Sequence, residues 1–142
     1  MAKKIILIVI MALVMATGLP GCRELPLIGD LAGQWQITKM TAADGTDMTV
    51  PERYYCFYRH TAQLTAPGAV KHTANMTYDN PELTLEFPEN SPLDLVGWGI
   101  IPPDDATAYE KGWVVRYHID RLDNGHLVMT TDQGVSITLR KY

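Results

Sequence analysis

The chain has 142 residues, 20% of them charged, and its 12 Lys and Arg against 16 Asp and Glu give a net charge of −4. That length is one domain's worth of chain and can bury a real hydrophobic core. The acidic balance and the lack of any basic tract argue against nucleic acid or anionic lipid headgroups as partners.

The chain opens with Lys3 and Lys4 and continues into an unbroken apolar run from Ile5 to Ala16. Roughly a dozen apolar residues match the hydrophobic region of an export signal, whereas a membrane-spanning helix needs about 20. Thr17, Gly18, Pro20 and Gly21 follow at once, and Gly and Pro are poor helix formers. The stretch Leu19-Pro20-Gly21-Cys22 resembles the lipobox of bacterial lipoprotein precursors. The resemblance implies a signal peptide over 1–21, cleavage before Cys22, a diacylglyceryl thioether on its sulfur and a fatty acyl group, palmitate or similar, on the new amino terminus. Two or more acyl chains give stable membrane attachment. In enteric bacteria an Asp after the lipidated cysteine favours retention in the inner membrane; Arg23 stands there and points instead to the outer membrane of the cell envelope. The leader takes 21 of the 142 residues, two of the twelve basic residues and none of the sixteen acidic ones, which leaves ten against sixteen and a net −6. Cys56 is then the only other cysteine, so no intrachain disulfide is available.

Residues 22–30 form a short tether, broken by Pro26 and Gly29. After it come short β-branched and aromatic runs with period-two alternation, separated by Gly, Pro, Asn and Asp. The first is Gln34 to Met40, with Trp35, Ile37 and Lys39 on one face, and Ala43-Asp44-Gly45 ends it. Tyr54 to Thr61 is the second. Val70 to Tyr78 sets His72, Ala74, Met76 and Tyr78 against Lys71, Thr73, Asn75 and Thr77. Asp79-Asn80-Pro81 turns the chain, and Glu82 to Phe87 then puts Leu83, Leu85 and Phe87 on one side. Pro88 to Asp94 reads as a loop; within Leu95 to Tyr109 the apolar stretch Val96 to Ile101 reads as an edge strand or a lid, and the rest as a long loop of the kind that often carries function. A short helix within 103–111 has little support.

Trp113 to Leu122 sets Val115, Tyr117 and Ile119 against Val114, Arg116, His118 and Asp120. Asn124-Gly125 supplies the positive φ angles of a hairpin turn. His126 to Thr131 returns, Asp132-Gln133-Gly134 turns again, and Val135 to Tyr142 closes a three-stranded meander. Short, evenly spaced strands over a whole chain predict an all-β antiparallel barrel or sandwich.

Leu31-Ala32-Gly33-Gln34-Trp35 opens this domain, and Gly33-x-Trp35 is similar to the signature of the lipocalins and their calycin relatives. The whole chain resembles the compact lipocalin-like lipoproteins of Gram-negative bacteria, over 31–142. The resemblance implies a small up-and-down β-barrel in which Trp35 closes one end and Arg140, from the last strand, lies across its ring. A guanidinium over an indole face gains cation–π energy. It implies no ligand, because such a barrel is either filled by its own side chains or holds one small molecule.

Motifs for chemistry are sparse. His60, His72, His118 and His126 are scattered, with no ligand-type spacing, so neither metal nor cofactor is expected. Asp104-Asp105 reads as a solvated turn, and no catalytic signature is present. Cys56, within Tyr54-Tyr55-Cys56-Phe57-Tyr58, reads as a buried structural thiol. Trp98, Trp113, Tyr54, Tyr58, Tyr78 and Tyr117 either line a pocket, with Tyr58, Trp98, Trp113 and Tyr117 as its candidate contacts, or form core. Two functions follow: a membrane-anchored, non-catalytic barrel that binds a small hydrophobic or amphiphilic ligand, or a solid barrel serving as an interaction or inhibitor module of the envelope. Replacing Cys22 by Ala should abolish acylation and membrane attachment. A variant that fractionates with the membrane at unchanged size would sink the lipoprotein reading.

Overall fold

The computed structural model describes residues 28–68, 71–89, 95–101 and 112–142. The expected signal peptide, Cys22 and the helix considered within 103–111 lie outside the described residues. Eight strands run β1 (Gly33–Thr41), β2 (Tyr54–Tyr58), β3 (Thr61–Thr65), β4 (His72–Asp79), β5 (Glu82–Phe87), β6 (Trp113–Leu122), β7 (His126–Thr131) and β8 (Ser136–Lys141). Each pairs antiparallel with its sequence neighbours. β1 also pairs with β8 and closes the barrel. The expected all-β up-and-down barrel is therefore what the chain forms.

Period-two alternation explains most of the wall. Leu83, Leu85 and Phe87 of β5, Val115, Tyr117 and Ile119 of β6, Leu127 and Met129 of β7, and Ile137 and Leu139 of β8 all point inward and are buried. Two places depart from the expected strands. In β1 the register against β8 shifts between Ile37 and Lys39, so Met40 turns inward and Lys39 stays exposed. A bulge adds one residue and flips the faces beyond it. The run expected over Tyr54–Thr61 is two strands, because Arg59 takes a positive φ of 52° and turns the chain between Tyr58 and Thr61. Thr61–Thr65 is thus a strand of its own.

The two ends of the barrel differ. One carries only tight turns, at 59–60, 80–81 and 123–125. In the last of these the Asp123 carboxylate accepts hydrogen bonds from the backbone of Gly125 (2.9 Å) and His126 (2.8 Å). Those bonds hold its pKa down to about 2. The other end carries the long connections after β1, β3 and β5.

The tight-turn end is sealed by the start of the domain. A short 3-10 turn, Gly29–Leu31, buries Leu31 beneath the barrel, and Ile28 is already only 5% exposed. Residues 28–30, which the sequence assigns to the tether, thus lie against the barrel. Trp35 is fully buried, and its indole Nε1 donates to the Leu31 carbonyl at 2.9 Å. The cation over its ring is Lys141, with Nζ 4.5 Å from the ring centroid, and not Arg140 as the resemblance implies. Parity is the reason. Ile137 and Leu139 face inward, and Lys141 shares their side, whereas Arg140 points out and donates through Nε and Nη2 to Gln36 Oε1 at 3.1 and 2.9 Å. The Lys141 ammonium also donates to the carbonyls of Asp30 and Ala32. Gly33 fits this closure twice over: its φ is +119°, and a Cβ there would stand 3.0 Å from Lys141 Cε and Nζ.

A double-mutant cycle tests the closure. Trp35→Leu and Lys141→Ala should couple by roughly 0.5–1 kcal/mol in urea unfolding, whereas Trp35→Leu and Arg140→Ala should add to within about 0.5 kcal/mol. Coupling to Arg140 with additivity at Lys141 would contradict the arrangement.

Candidate functional site

The loop-bearing end is where a function-specific surface is expected, because loops on a rigid scaffold carry recognition more freely than its walls. The lid alternative for residues 95–101 is the one the fold adopts, as an inward plug. A 3-10 turn, Val96–Trp98, directs Trp98 into the barrel mouth, and Leu95, Trp98 and Ile100 are each no more than 4% exposed. Gly99 follows with φ +83°, a conformation that L side chains rarely adopt, and a Cβ there would press on Ile137 Cδ1 at 2.7 Å.

Polar contacts fix the plug. Trp98 Nε1 donates to the carbonyls of Tyr54 (3.2 Å) and Thr65 (3.3 Å), bridging the open ends of β2 and β3. The Arg53 guanidinium lies 5.1 Å from the centre of the Trp98 ring, and His72 meets the same ring edge-on at 5.4 Å. From below, the Tyr55 hydroxyl donates to the Trp98 carbonyl at 2.5 Å and stands 3.0 Å from the Tyr117 hydroxyl. The carbonyl can only accept and each phenol has one hydrogen, so Tyr117 donates to Tyr55 and Tyr55 to Trp98. This chain of bonds crosses the barrel from β6 through β2 to the plug. Phe57 packs beside Tyr55 with ring centres 5.6 Å apart, and Leu64, Leu83 and Leu85 fill the adjoining space at 0% exposure.

The candidate contacts Tyr58, Trp98, Trp113 and Tyr117 do not converge on one cavity. Trp98 is the plug and Tyr117 the buried phenol behind it. Tyr58 has outward parity in β2, lies at the tight-turn end, and is 64% exposed with the Arg59 guanidinium 5.5 Å from its ring centre. Trp113 opens β6, 8% exposed, stacked on Phe87 at 5.0 Å and 24°. That pair borders an open groove of about 410 Å³ at the loop-bearing end, shared with Asn75, Glu86, Glu89 and Val114. The expected buried thiol needs correction as well. Tyr55 and Phe57 take the inward positions, so Cys56 sits half-buried on the outer wall. The histidines lie apart: His60 in the Arg59 turn, His72 against Trp98, His118 beside Glu82 and Asp120, and His126 on Asp123. Among the described residues no three His, Cys, Asp or Glu side chains are placed to share a metal ion.

Burial raises the pKa of both Tyr55 and Tyr117, and the neighbouring phenol raises that of Tyr117 further. A raised folded-state pKa means the pair stabilises the fold fully below the ordinary tyrosine value of 10.0 and loses that contribution as pH rises above it. Tyr55→Phe should cost about 1–3 kcal/mol at neutral pH, because it strands the Trp98 carbonyl and the Tyr117 hydroxyl in an apolar interior. It should also flatten the alkaline loss of stability, read from urea midpoints at pH 8 and about 11. An unchanged midpoint at neutral pH would show that the hydroxyl does not hold the plug.

Three comparisons bear on this geometry. Two solved crystal structures share the fold: a lipocalin-like protein from Bacteroides uniformis ATCC 8492, and an uncharacterized protein from Bacteroides eggerthii DSM 20697. The first is 20% identical with a TM-score of 0.56, covering 80% of this chain and 100% of that one. The second is 15% identical with a TM-score of 0.56, covering 79% of this chain and 99% of that one. No curated protein matches the chain. A family model described as a lipocalin-like domain matches residues 13–142, nearly the whole sequence, and on that match the chain belongs to the lipocalin-like domain family.

Proposed function

We propose that this chain is a lipid-anchored, non-catalytic lipocalin-like domain of the bacterial envelope, attached through Cys22, most simply to the outer membrane, and that it works through its loop-bearing end as a protein-interaction or inhibitor module. The observation that carries this is the bonded column Tyr117–Tyr55–Trp98 across the barrel axis, flanked by Phe57, Leu64 and Leu85. Among the described residues, the protein's own aromatic side chains stand across the axis, where a ligand-carrying barrel would leave space. This arrangement supports recognition at the exterior. Around the plug, Val96 (43% exposed) and Ile101 (40% exposed) present apolar side chains to solvent.

A second reading, a small amphiphilic ligand, is favoured by the groove beside Phe87 and Trp113. Its stacked aromatic wall would take an apolar body, while Asn75 and Glu86 offer polar contacts at its edge. In this reading the ligand sits on the rim of the barrel and not inside it.

Native mass spectrometry of the full chain, extracted gently from its own host, separates the readings. The interaction-module reading expects a polypeptide complex that Val96→Asp disrupts while Trp113→Ala leaves it intact. A bound small molecule lost on Trp113→Ala would replace it with the groove reading. A small molecule that survives both variants and shields Trp98 fluorescence from quenchers would place a ligand inside the barrel and overturn both.

A further inference from the structure

Resting on the lipid-anchor reading, we propose that the tight-turn end of the barrel is a membrane-contact face, seated on the phospholipid headgroups through Tyr58 and Tyr142, so that the plugged end points away from the membrane. Chain length and the place where the chain enters the barrel set this orientation. Ile28 is buried at the tight-turn end, where the Gly29–Leu31 turn meets Lys141. Cys22 precedes Ile28 by six residues, and a fully extended segment of that length spans at most about 20 Å. Strand β6 has ten residues. At about 3.3 Å per residue and the usual barrel tilt, it raises the loop-bearing end by roughly 25 Å. The tether is thus too short to pass around the barrel and let the plug end touch the bilayer.

The surface chemistry at the tight-turn end suits that contact. Among the described residues the two most exposed large apolar side chains are Tyr142 (71%) and Tyr58 (64%). Both lie on the β8–β1–β2 side of the outer wall: Tyr58 is at the tight-turn end, and Tyr142 leaves β8 there with its ring edge-on to that of Tyr54, ring centres 5.1 Å apart. Tyr142 follows the last residue of β8 and donates its backbone N–H to Gln34, while Gly33 pairs with Phe57, next to Tyr58. Tyrosine, with an apolar ring and a polar tip, favours the water–headgroup interface. The acidic mature chain gains nothing from anionic headgroups, so the contact is aromatic, not coulombic.

The test uses the full lipidated chain in zwitterionic phosphatidylcholine vesicles carrying a headgroup nitroxide. A fluorophore is placed at His60→Cys, in the tight-turn end, or at Asp44→Cys, in the loop after β1, each with Cys56→Ser. Quenching at position 60 should exceed that at 44 at least about twofold. It should fall toward the value at 44 when Tyr58→Ser and Tyr142→Ser are combined, two exposed substitutions that leave the core untouched. Equal quenching at both positions in the anchored chain, or stronger quenching at 44, overturns the orientation. Quenching at 60 that ignores the two tyrosine substitutions overturns their role. Failure of the anchor reading shows separately, as vesicle binding that persists in Cys22→Ala.

Discussion

The pairing of β1 with both β2 and β8 is the constraint from which the rest of this structure follows. Once the sheet closes, one side of every strand faces an interior that side chains or a small ligand fill, and the ends are covered by something other than strands. At one end the two termini of the domain make the seal: Leu31 and Trp35 from its start meet Lys141 from its last strand. At the other it comes from far along the chain, with Trp98 lodged between the open ends of β2 and β3. The bulge at Ile37–Lys39 belongs to the same closure. It brings Met40 inward where Gly99 of the plug comes down, so the upper part of β1 serves the lid and the lower part serves Trp35.

Much of this was legible in the residues. Strict alternation in β5, β6 and β8 gave the inward side correctly, because each of those strands holds its phase across the buried stretch. What escaped has specific causes. The break between β2 and β3 carries no Gly, Pro or Asn. It rests on Arg59 adopting the left-handed region, which residue type alone does not announce. The bulge in β1 is a register event, set by β8 a hundred residues away, and it moved Lys39 off the face assigned to it.

The cation over Trp35 departs from the family resemblance for a reason of parity. Family resemblance pointed to Arg140, but counting from Ile137 and Leu139 puts position 141 on the inner side, and Lys141 has the length to reach under the indole. The same parity, applied to Tyr54–Tyr58, separates Tyr55 and Phe57 from Cys56 and Tyr58 without any structure. It would have removed Tyr58 from the pocket candidates. The Tyr55–Tyr117 bond was not readable, since it joins strands that meet only across the closed barrel. The plug was readable only as one of two alternatives, because a 3-10 turn of three residues leaves no periodic trace.

Energetics favour the proposed reading, in which a partner meets the surface of this domain. Admitting a ligand to the interior means withdrawing Trp98 together with the hydrogen bonds from its indole and to its carbonyl. With roughly 1 kcal/mol for each bond and about 3 for the buried indole, the open state lies on the order of 5 kcal/mol above the closed one. A ligand that needs that state sees its affinity lowered by about three to four orders of magnitude. Contacts at the plug's outer face or along the Phe87–Trp113 groove carry no such penalty, since the side chains they require are already in place. On the proposed reading, the contacts that keep Trp98 in the axis also fix residues 95–101 for a partner to meet.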